Sequence, residues 1–251
     1  SVTVDILFEE VFLKAKGVYQ ETGGAFDPTI GILVNSWGFG PGISLNSMDR
    51  SKVDSLMNFV GFDQVELKNH KVIKRQPSIY LDFNASAKGF GVDLIGRYFE
   101  SLGISDYMVE IGGEIRARGN NSRGMPWKIA IEEPNFDGSR SFQTIVELNN
   151  ESIATSGNYR KFLIDSVTGE KYAHTIDTKT GYPSRSNLLS ASVIAPSDCA
   201  DVDAYATAFM AMGYNKSVSF LQNHPNLKVF FIYSDKDGSI HTFSTENLNT
   251  K

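Results

Sequence analysis

From residue 107 to residue 177 the chain is a succession of short β-type segments with turn residues between them. "YMVEIGGEIRARG", "WKIAIEEP", "QTIVELN" and "RKFLIDSVTGEKYAHTID" follow one another, the last with "VTGE" as a hairpin turn. A doubly wound parallel sheet would need strands and helices in alternation throughout, and this stretch lacks it. Helices are predicted on either side instead. The first spans 4–21, with Leu7, Val11, Ala15 and Val18 inward and a stop at Gly23-Gly24. Others lie near 49–60, over about 86–102 with Val92, Ile95, Phe99 and Leu102 inward, through 201–213, and near 215–223. Further strands are expected near 64–74, 78–83 and 189–195, and "KVFFIYSDKDGSIHTFS" closes as a hairpin around "DKDG". The pattern is an α+β fold, with largely antiparallel sheets and inserted helices. No repeat or linker divides residues 1–251, so one compact domain is expected.

Composition narrows the function. A net charge of −5 argues against a broad basic surface for nucleic acid, though a local cluster of Lys and Arg can still hold a small anion. One cysteine, Cys199, excludes an internal disulfide, and no Cys/His spacing suggests zinc. No apolar run has the length of a membrane span, and nothing resembles a signal peptide. The chain opens abruptly on the amphipathic "SVTVDILFEEVFLKAKGVYQETGG", as expected of a mature or trimmed product that has lost a targeting segment.

Five stretches carry candidate chemistry. "DVDAYATAFMAMG" places Asp203 and Thr207 about one turn apart on one helix face, with Ala206 beside them. An aspartate there can cap the helix, satisfy a buried donor or hold a cation. In "GGAFDPTIG", Asp27 starts a turn or helix, while the glycines permit close approach of a ligand. "LDFNASAKGFGVD" puts Asp82 at a strand end and Lys88 in the first turn of a helix, a place suited to phosphate, although the Walker spacing is absent. The paired glycines of "VEIGGEIRARG" read as a β-bulge or as a place where something packs closely. In "YAHTIDTKTGYP", His174 and Asp177 flank a strand end before a turn, and such a histidine can orient a substrate or take a proton. No G-x-S-x-G elbow, H-E-x-x-H, or G-x-G-x-x-G after a strand occurs. What survives is a site of oxygen ligands for a hard cation such as magnesium, and an anion-binding helix start.

Taken in order, "TGGAFDPTIGILVNSWGFG", "LDFNASAKGFGVDLIGRYFESLGISDYMVEIGGEIRARG", "IATSGNYRKF", "YAHTIDTKTGYPSRSNLLSASVIAPS" and "DAYATAFMAMG" resemble the ApbE family of flavin transferases (FAD:protein FMN transferases). The resemblance runs from about residue 20 to 213. It implies Mg²⁺-dependent transfer of FMN from FAD to a Ser or Thr of an acceptor protein, with release of AMP. Acceptors in that family are flavoprotein subunits of membrane redox pumps or exported electron carriers. Two alternatives stay open: an FAD pyrophosphatase giving FMN and AMP, and a non-catalytic flavin-binding protein.

Carried over by position, the resemblance makes Asp203 and Thr207 side-chain ligands of Mg²⁺, with backbone oxygens from Ala206 and Ala85. Ala25, Phe26 and Asp27 would line the flavin nucleotide, Asp82 and Lys88 would touch it, and Ile176 would contact it beside His174. His174 is the candidate for orienting or deprotonating the acceptor hydroxyl, with Asp177 a candidate to hold its imidazole. The resemblance implies that the family's N-terminal strands and its export or lipoprotein signal are expected ahead of residue 1. Ala85 can offer only its backbone oxygen, and Asn84-Ala85-Ser86 replaces more glycine-rich text. A bacterial periplasmic or cell-surface location, lipid-anchored before trimming, is the expectation.

Overall fold

The computed structural model describes residues 1–40, 48–133, 141–158, 162–164 and 171–248. In chain order its elements begin with β1 (Val2–Thr3), α1 (Ile6–Glu21), α2 (Gly31–Ser36), α3 (Arg50–Met57), β2 (Val65–Lys68), β3 (Lys71–Lys74) and α4 (Asn84–Ser101). The strands β4 (Tyr107–Ile111), β5 (Glu114–Arg118), β6 (Trp127–Glu132), β7 (Phe142–Leu148), β8 (Ser152–Gly157), β9 (Phe162–Ile164), β10 (Lys171–Ala173) and β11 (Leu188–Ala195) follow. α5 (Cys199–Met212), α6 (Tyr214–Leu221), β12 (Lys228–Ser234) and β13 (Ile240–Ser244) complete the chain. Among the described residues all strand pairs are antiparallel, so the α+β expectation holds. The chain divides into two compact bodies: Ser1–Ala85 with Lys161–Arg185, and Ser86–Arg160 with Ser186–Lys251. No helix among the described residues is long and apolar enough to cross a membrane.

In the first body, Asp5 caps α1 by accepting from the Phe8 amide at 2.8 Å. The helix buries Val11, Phe12, Ala15 and Val18, whereas Leu7 is exposed, against expectation. The apolar stripe is therefore set by Phe12, whose ring meets Phe62 at 4.7 Å between centroids. A three-stranded sheet in the order β1-β3-β2 stands in this body. The strand expected at 78–83 is not formed: this segment makes no ladder, and Asp82 is fixed by its amide bonding to the Pro28 carbonyl at 2.8 Å. A separate core gathers Leu33, Trp37, Val53 and Ile176. The Trp37 indole N–H donates to the Gly181 carbonyl at 2.8 Å, tying α2 to the "TKTGYP" turn. The "VTGE" turn lies outside the described residues.

In the second body, six strands pair in the order β13-β12-β11-β8-β5-β4. α5 packs on β8 and β11 and is buried from Cys199 to Met210 apart from the half-buried Asp201 and Thr207. A helix apolar nearly all round belongs inside a core, which the Ala-, Met- and Phe-rich text of α5 satisfies. Gly112 and Gly113, both at positive φ (64° and 105°), form the two-residue turn between β4 and β5, with Ile111 opposite Glu114. They are a hairpin turn and not a bulge.

α4 corrects two expectations. It starts at Asn84, so Lys88 stands in the second turn and not the first. Its buried residues are Ser86, Gly89, Phe90, Val92, Asp93 and Gly96, while Ile95 and Leu102 are exposed. Small residues at 86, 89, 93 and 96 occupy one face at helical spacing, and the reason is close approach. A Cβ at Gly89 would stand 2.5 Å from the Cys199 carbonyl oxygen and 2.7 Å from the Ala200 nitrogen.

Candidate functional site

The second body assembles a group of charged and hydroxyl side chains around α5. Asp203 is only 3% exposed. Its Oδ2 accepts from the Gly89 amide of α4 at 3.2 Å, while Thr207, one turn on, shares a 3.3 Å hydrogen bond with Ser156 of β8. The residue before Gly89, Lys88, pairs through Nζ with Glu114 Oε1 at the start of β5. Glu114 is buried, and its Oε2 has no hydrogen-bond partner. Burial raises the Asp203 carboxyl, the Glu114 charge adds to it, and Lys88 and the Gly89 amide oppose it, leaving Asp203 pushed up to about 7. Burial likewise raises Glu114 against the pull of Lys88.

A second set of bonds frees Asp203 from capping. The N-terminal amides of α5, on Cys199 and Ala200, are taken by the two oxygens of Asp93 at 2.8 and 2.9 Å. Asp198, at the N-cap position, makes no cap bond of its own and accepts from Arg116 Nη1 at 2.6 Å. Arg116 also donates to Asp93 at 3.0 Å, to Glu100 at 3.1 Å and to the Tyr107 hydroxyl at 3.0 Å. Burial works against the guanidinium, but the Tyr107, Asp198 and Glu100 bonds outweigh it and hold its pKa above the ordinary value. Thus α5 is clamped at its start, and Asp203, in its second turn, is left with one amide.

In the first body the candidate loop residues are fastened to one another. Asp27 caps the 3₁₀ turn Pro28–Ile30. Its Oδ1 accepts from the Thr29 amide at 2.8 Å and the Thr29 hydroxyl at 2.6 Å, and Thr29 Oγ1 accepts from the Gly61 amide at 2.7 Å. Burial nevertheless keeps the Asp27 carboxyl above its usual range. The carbonyls of Gly23 and Gly24 accept from Lys179 Nζ at 2.6 Å and Thr178 Oγ1 at 2.5 Å, which joins "TGGAFD" to "DTKTG". Asp82 Oδ1 accepts from the Asn84 amide at 2.8 Å, and a Cβ at Gly31 would stand 2.7 Å from the Asp82 Cβ.

His174 is half-buried, with its ring 6.5 Å from Phe39. Asp177 Oδ1 turns to the Lys179 and Thr180 amides at 2.8 and 3.3 Å. Ile176 is 4% exposed and its side chain packs in the Leu33–Trp37–Val53 core, while Phe26 is also buried. Ala25 is half-buried, Ala206 is buried, and Ala85 is half-buried in the first turn of α4.

Sequence reasoning missed Glu114, Asp93, Arg116 and Ser156. Glu114 and Arg116 stand in the quoted "VEIGGEIRARG", where the glycines drew the attention. Asp93 had one available signal: a charged residue on the small-residue face of a helix.

Among the described residues no group of three or more His, Cys, Asp or Glu side chains is placed to hold a metal ion. What is present is one carboxylate in Asp203, the hydroxyl of Thr207, and the unpartnered oxygen of Glu114. Oxygen donors of low total charge fit a hard cation that shares its shell with water and phosphate, and magnesium is of that type.

Comparisons with known proteins show the family to which the chain is similar. The ApbE family profile matches residues 1–231. The FAD:protein FMN transferase of Haemophilus influenzae is 37% identical over 238 residues, 93% of this chain and 68% of that protein. The FAD:protein FMN transferase of Vibrio cholerae is 38% identical over 218 residues, 86% of this chain and 64% of that protein. The solved structure of the flavin transferase ApbE from Vibrio cholerae superposes with a TM-score of 0.84 at 34% identity, covering 97% of this chain and 76% of that one. The chain thus spans about two thirds of the length of the curated relatives it matches.

Proposed function

This chain belongs to the ApbE family and is a transferase, and we propose that it transfers the FMN half of FAD to a Ser or Thr hydroxyl of an acceptor protein in a Mg²⁺-dependent reaction that releases AMP. The observation that carries the cation dependence is Asp203: a carboxylate 3% exposed, raised by the charge of a second buried carboxylate, Glu114, with Thr207 one turn along α5. Two such charges are costly without a cation to offset them. A protein that only bound flavin would have no need of the arrangement.

On this reading Asp203 and Thr207 hold the cation by side chain, and Ala206 and Ala85 by backbone oxygen. Bound Mg²⁺ supplies charge neutralisation at the pyrophosphate. Lys88 binds a phosphate oxygen, Asp82 touches the nucleotide, and the loops at Ala25–Asp27 and Ile176 line its flavin part. The acceptor hydroxyl attacks the phosphorus on the FMN side. Its proton passes to His174, a phosphoester forms, and the bond from that phosphorus to the bridging oxygen breaks as AMP leaves. The protein's contribution is positioning and electrostatics.

The acceptor class is a flavoprotein subunit of a redox pump or an exported electron carrier carrying a Ser/Thr-Gly-Ala-Ser/Thr-like motif. Action in the bacterial periplasm or at the cell surface, lipid-anchored, belongs to the same proposal. The test is mass spectrometry of an acceptor domain incubated with this protein, FAD and Mg²⁺, beside the Asp203→Ala variant. Gain of one FMN, lost in the variant, supports the transferase. Free FMN and AMP with an unmodified acceptor would replace it by FAD hydrolysis.

A further inference from the structure

We propose that Glu114 belongs to the cation site from outside the ligand set: its Oε2 accepts a hydrogen bond from cation-bound water, and Lys88 is its counter-ion until a nucleotide phosphate draws the lysine away. This rests on the cation reading above and adds a residue and an exchange to it.

The two partners differ in freedom. The Lys88 side chain is 47% exposed and the Glu114 side chain 2%. Glu114 is anchored as the first residue of β5, fixed by the two-glycine turn before it. One of its oxygens holds Lys88; the other lacks any donor. Buried carboxylate oxygens are ordinarily satisfied, so an orphan one marks a missing donor. The neighbourhood says what kind. Lys88 and Gly89 are consecutive, and Gly89 bonds Asp203, so a single turn of α4 links both carboxylates. Two carboxylates against one lysine leave an excess negative charge. That excess attracts a cation and its water, which is a donor. A Cβ at Gly112 would stand 3.5 Å from Lys88 Cδ and 3.7 Å from Glu114 Oε2, so the turn lies directly beside the pair.

A lysine that neutralises Glu114 before nucleotide binds competes with the cation for the local negative charge. When pyrophosphate arrives, Lys88 gains a better-charged partner, and the cation's water replaces it at Glu114. Hydrogen-bonded carboxylates around the ligands of metal sites act in this way, and their loss typically weakens metal binding about 10–100-fold.

The experiment is Mn²⁺ binding, by paramagnetic resonance and calorimetry, with and without ADP, on the parent, Glu114→Gln, Lys88→Met and Asp203→Asn proteins, each checked for folding by circular dichroism. Glu114→Gln should bind Mn²⁺ about 10–100-fold more weakly. Lys88→Met should bind it more tightly without ADP and lose the gain when ADP is present. A gain is an effect that damaged folding would not give, and it keeps the proposal testable if Glu114→Gln does not fold. Parent-like affinity in Glu114→Gln, or unchanged affinity in Lys88→Met, overturns the proposal while loss in Asp203→Asn leaves the cation site standing. Loss in Glu114→Gln as complete as in Asp203→Asn makes Glu114 a direct ligand and overturns the outer role. Unchanged binding in Asp203→Asn, or none in the parent under either condition, overturns the cation reading itself.

Discussion

The two bodies use their aspartates in opposite ways. In the first, Asp27, Asp82 and Asp177 each turn an oxygen back to amides of their own loop, at 2.8 Å in each case. Their charge is spent on holding turns. In the second, Asp93 takes over the capping of α5, and Asp203 keeps one 3.2 Å amide bond, with the buried Glu114 as its largest charged influence. Carboxylates that close their own turns shape a loop; a buried carboxylate beside a second buried carboxylate invites a cation. A nucleotide reading therefore suits the loops of the first body through their geometry, and a cation reading suits the second through its charge.

The largest effect that would break this comparison lies at Asp203. Asp203→Ala should lower the rate of FMN transfer about 10³-fold while leaving the circular dichroism spectrum unchanged, because the charge stabilisation supplied through a metal is worth several kcal/mol. Acceptor mass spectrometry over a time course measures it. Transfer at the parent rate would mean that the second body's unspent charge has no catalytic use.

Next comes the clamp that leaves Asp203 unspent. Arg116→Met would strand Asp93, Asp198 and Glu100 without their common cation, and loss of one partner from a buried ion pair costs about 3–5 kcal/mol. A fall in melting temperature of about 10 °C is expected. A parent-like melt would show that the Asp93 amide bonds alone hold α5.

How much of this was legible in the sequence depended on distance along the chain. Helix α5, with Asp203 and Thr207 on one face, was readable because its period and its small apolar residues are local properties. So was Asp27 as a turn start, since Asp-Pro-Thr carries its own cap. The inward face of α4 was not. Its exposed Ile95 and Leu102 outweigh its buried Gly89, Asp93 and Gly96 on any apolar scale, and the face is set by α5, more than 100 residues away, whose start approaches Gly89 to 2.5–2.7 Å of a built Cβ. Glu114 was hidden for a related reason: a glutamate after a glycine turn looks solvated until Lys88 and the burial of β5 are known. The strand expected at 78–83 failed because β propensity cannot show that no partner strand is there.

Acidity reaches raised carboxyls of both bodies, Asp203 among them. Asp203 is held at about 7 in the folded chain against an ordinary 3.8. Between those values the folded state keeps a proton that the unfolded chain has lost, so this group makes cation-free protein less stable as pH rises from about 4 to about 7. The ceiling of that loss is about 4 kcal/mol, and buried Asp27, Asp93 and Glu114, also raised, add in the same direction. Asp203→Asn should flatten part of the slope, and Mn²⁺ or Mg²⁺ at pH 8 should recover stability in the parent only, since the cation binds the ionised form. Thermal melts across pH 4–8, with and without cation, measure both. An equal slope in the variant would assign the effect to the other carboxyls.

The smallest effect belongs to the first body. Asp27→Ala removes the acceptor for the Thr29 amide and hydroxyl but leaves Thr29 bonded to the Gly61 amide, so the loop keeps one of its two ties. Loss of a cap costs about 1 kcal/mol, and relief of the buried carboxyl's own desolvation offsets part of it. Asp27→Asn, which retains the accepting oxygen, should melt within a degree or two of the parent. FAD affinity, followed by flavin fluorescence, should fall in Asp27→Ala and recover in Asp27→Asn, because the loop's shape and not its charge is what the nucleotide meets. Mn²⁺ affinity without nucleotide should be the same in all three. If Asp27→Asn lost FAD as fully as Asp27→Ala, charge would matter in the first body too; if either variant lost Mn²⁺, Asp27 would be acting on the cation, and the division between shape and charge would not follow the division between the bodies.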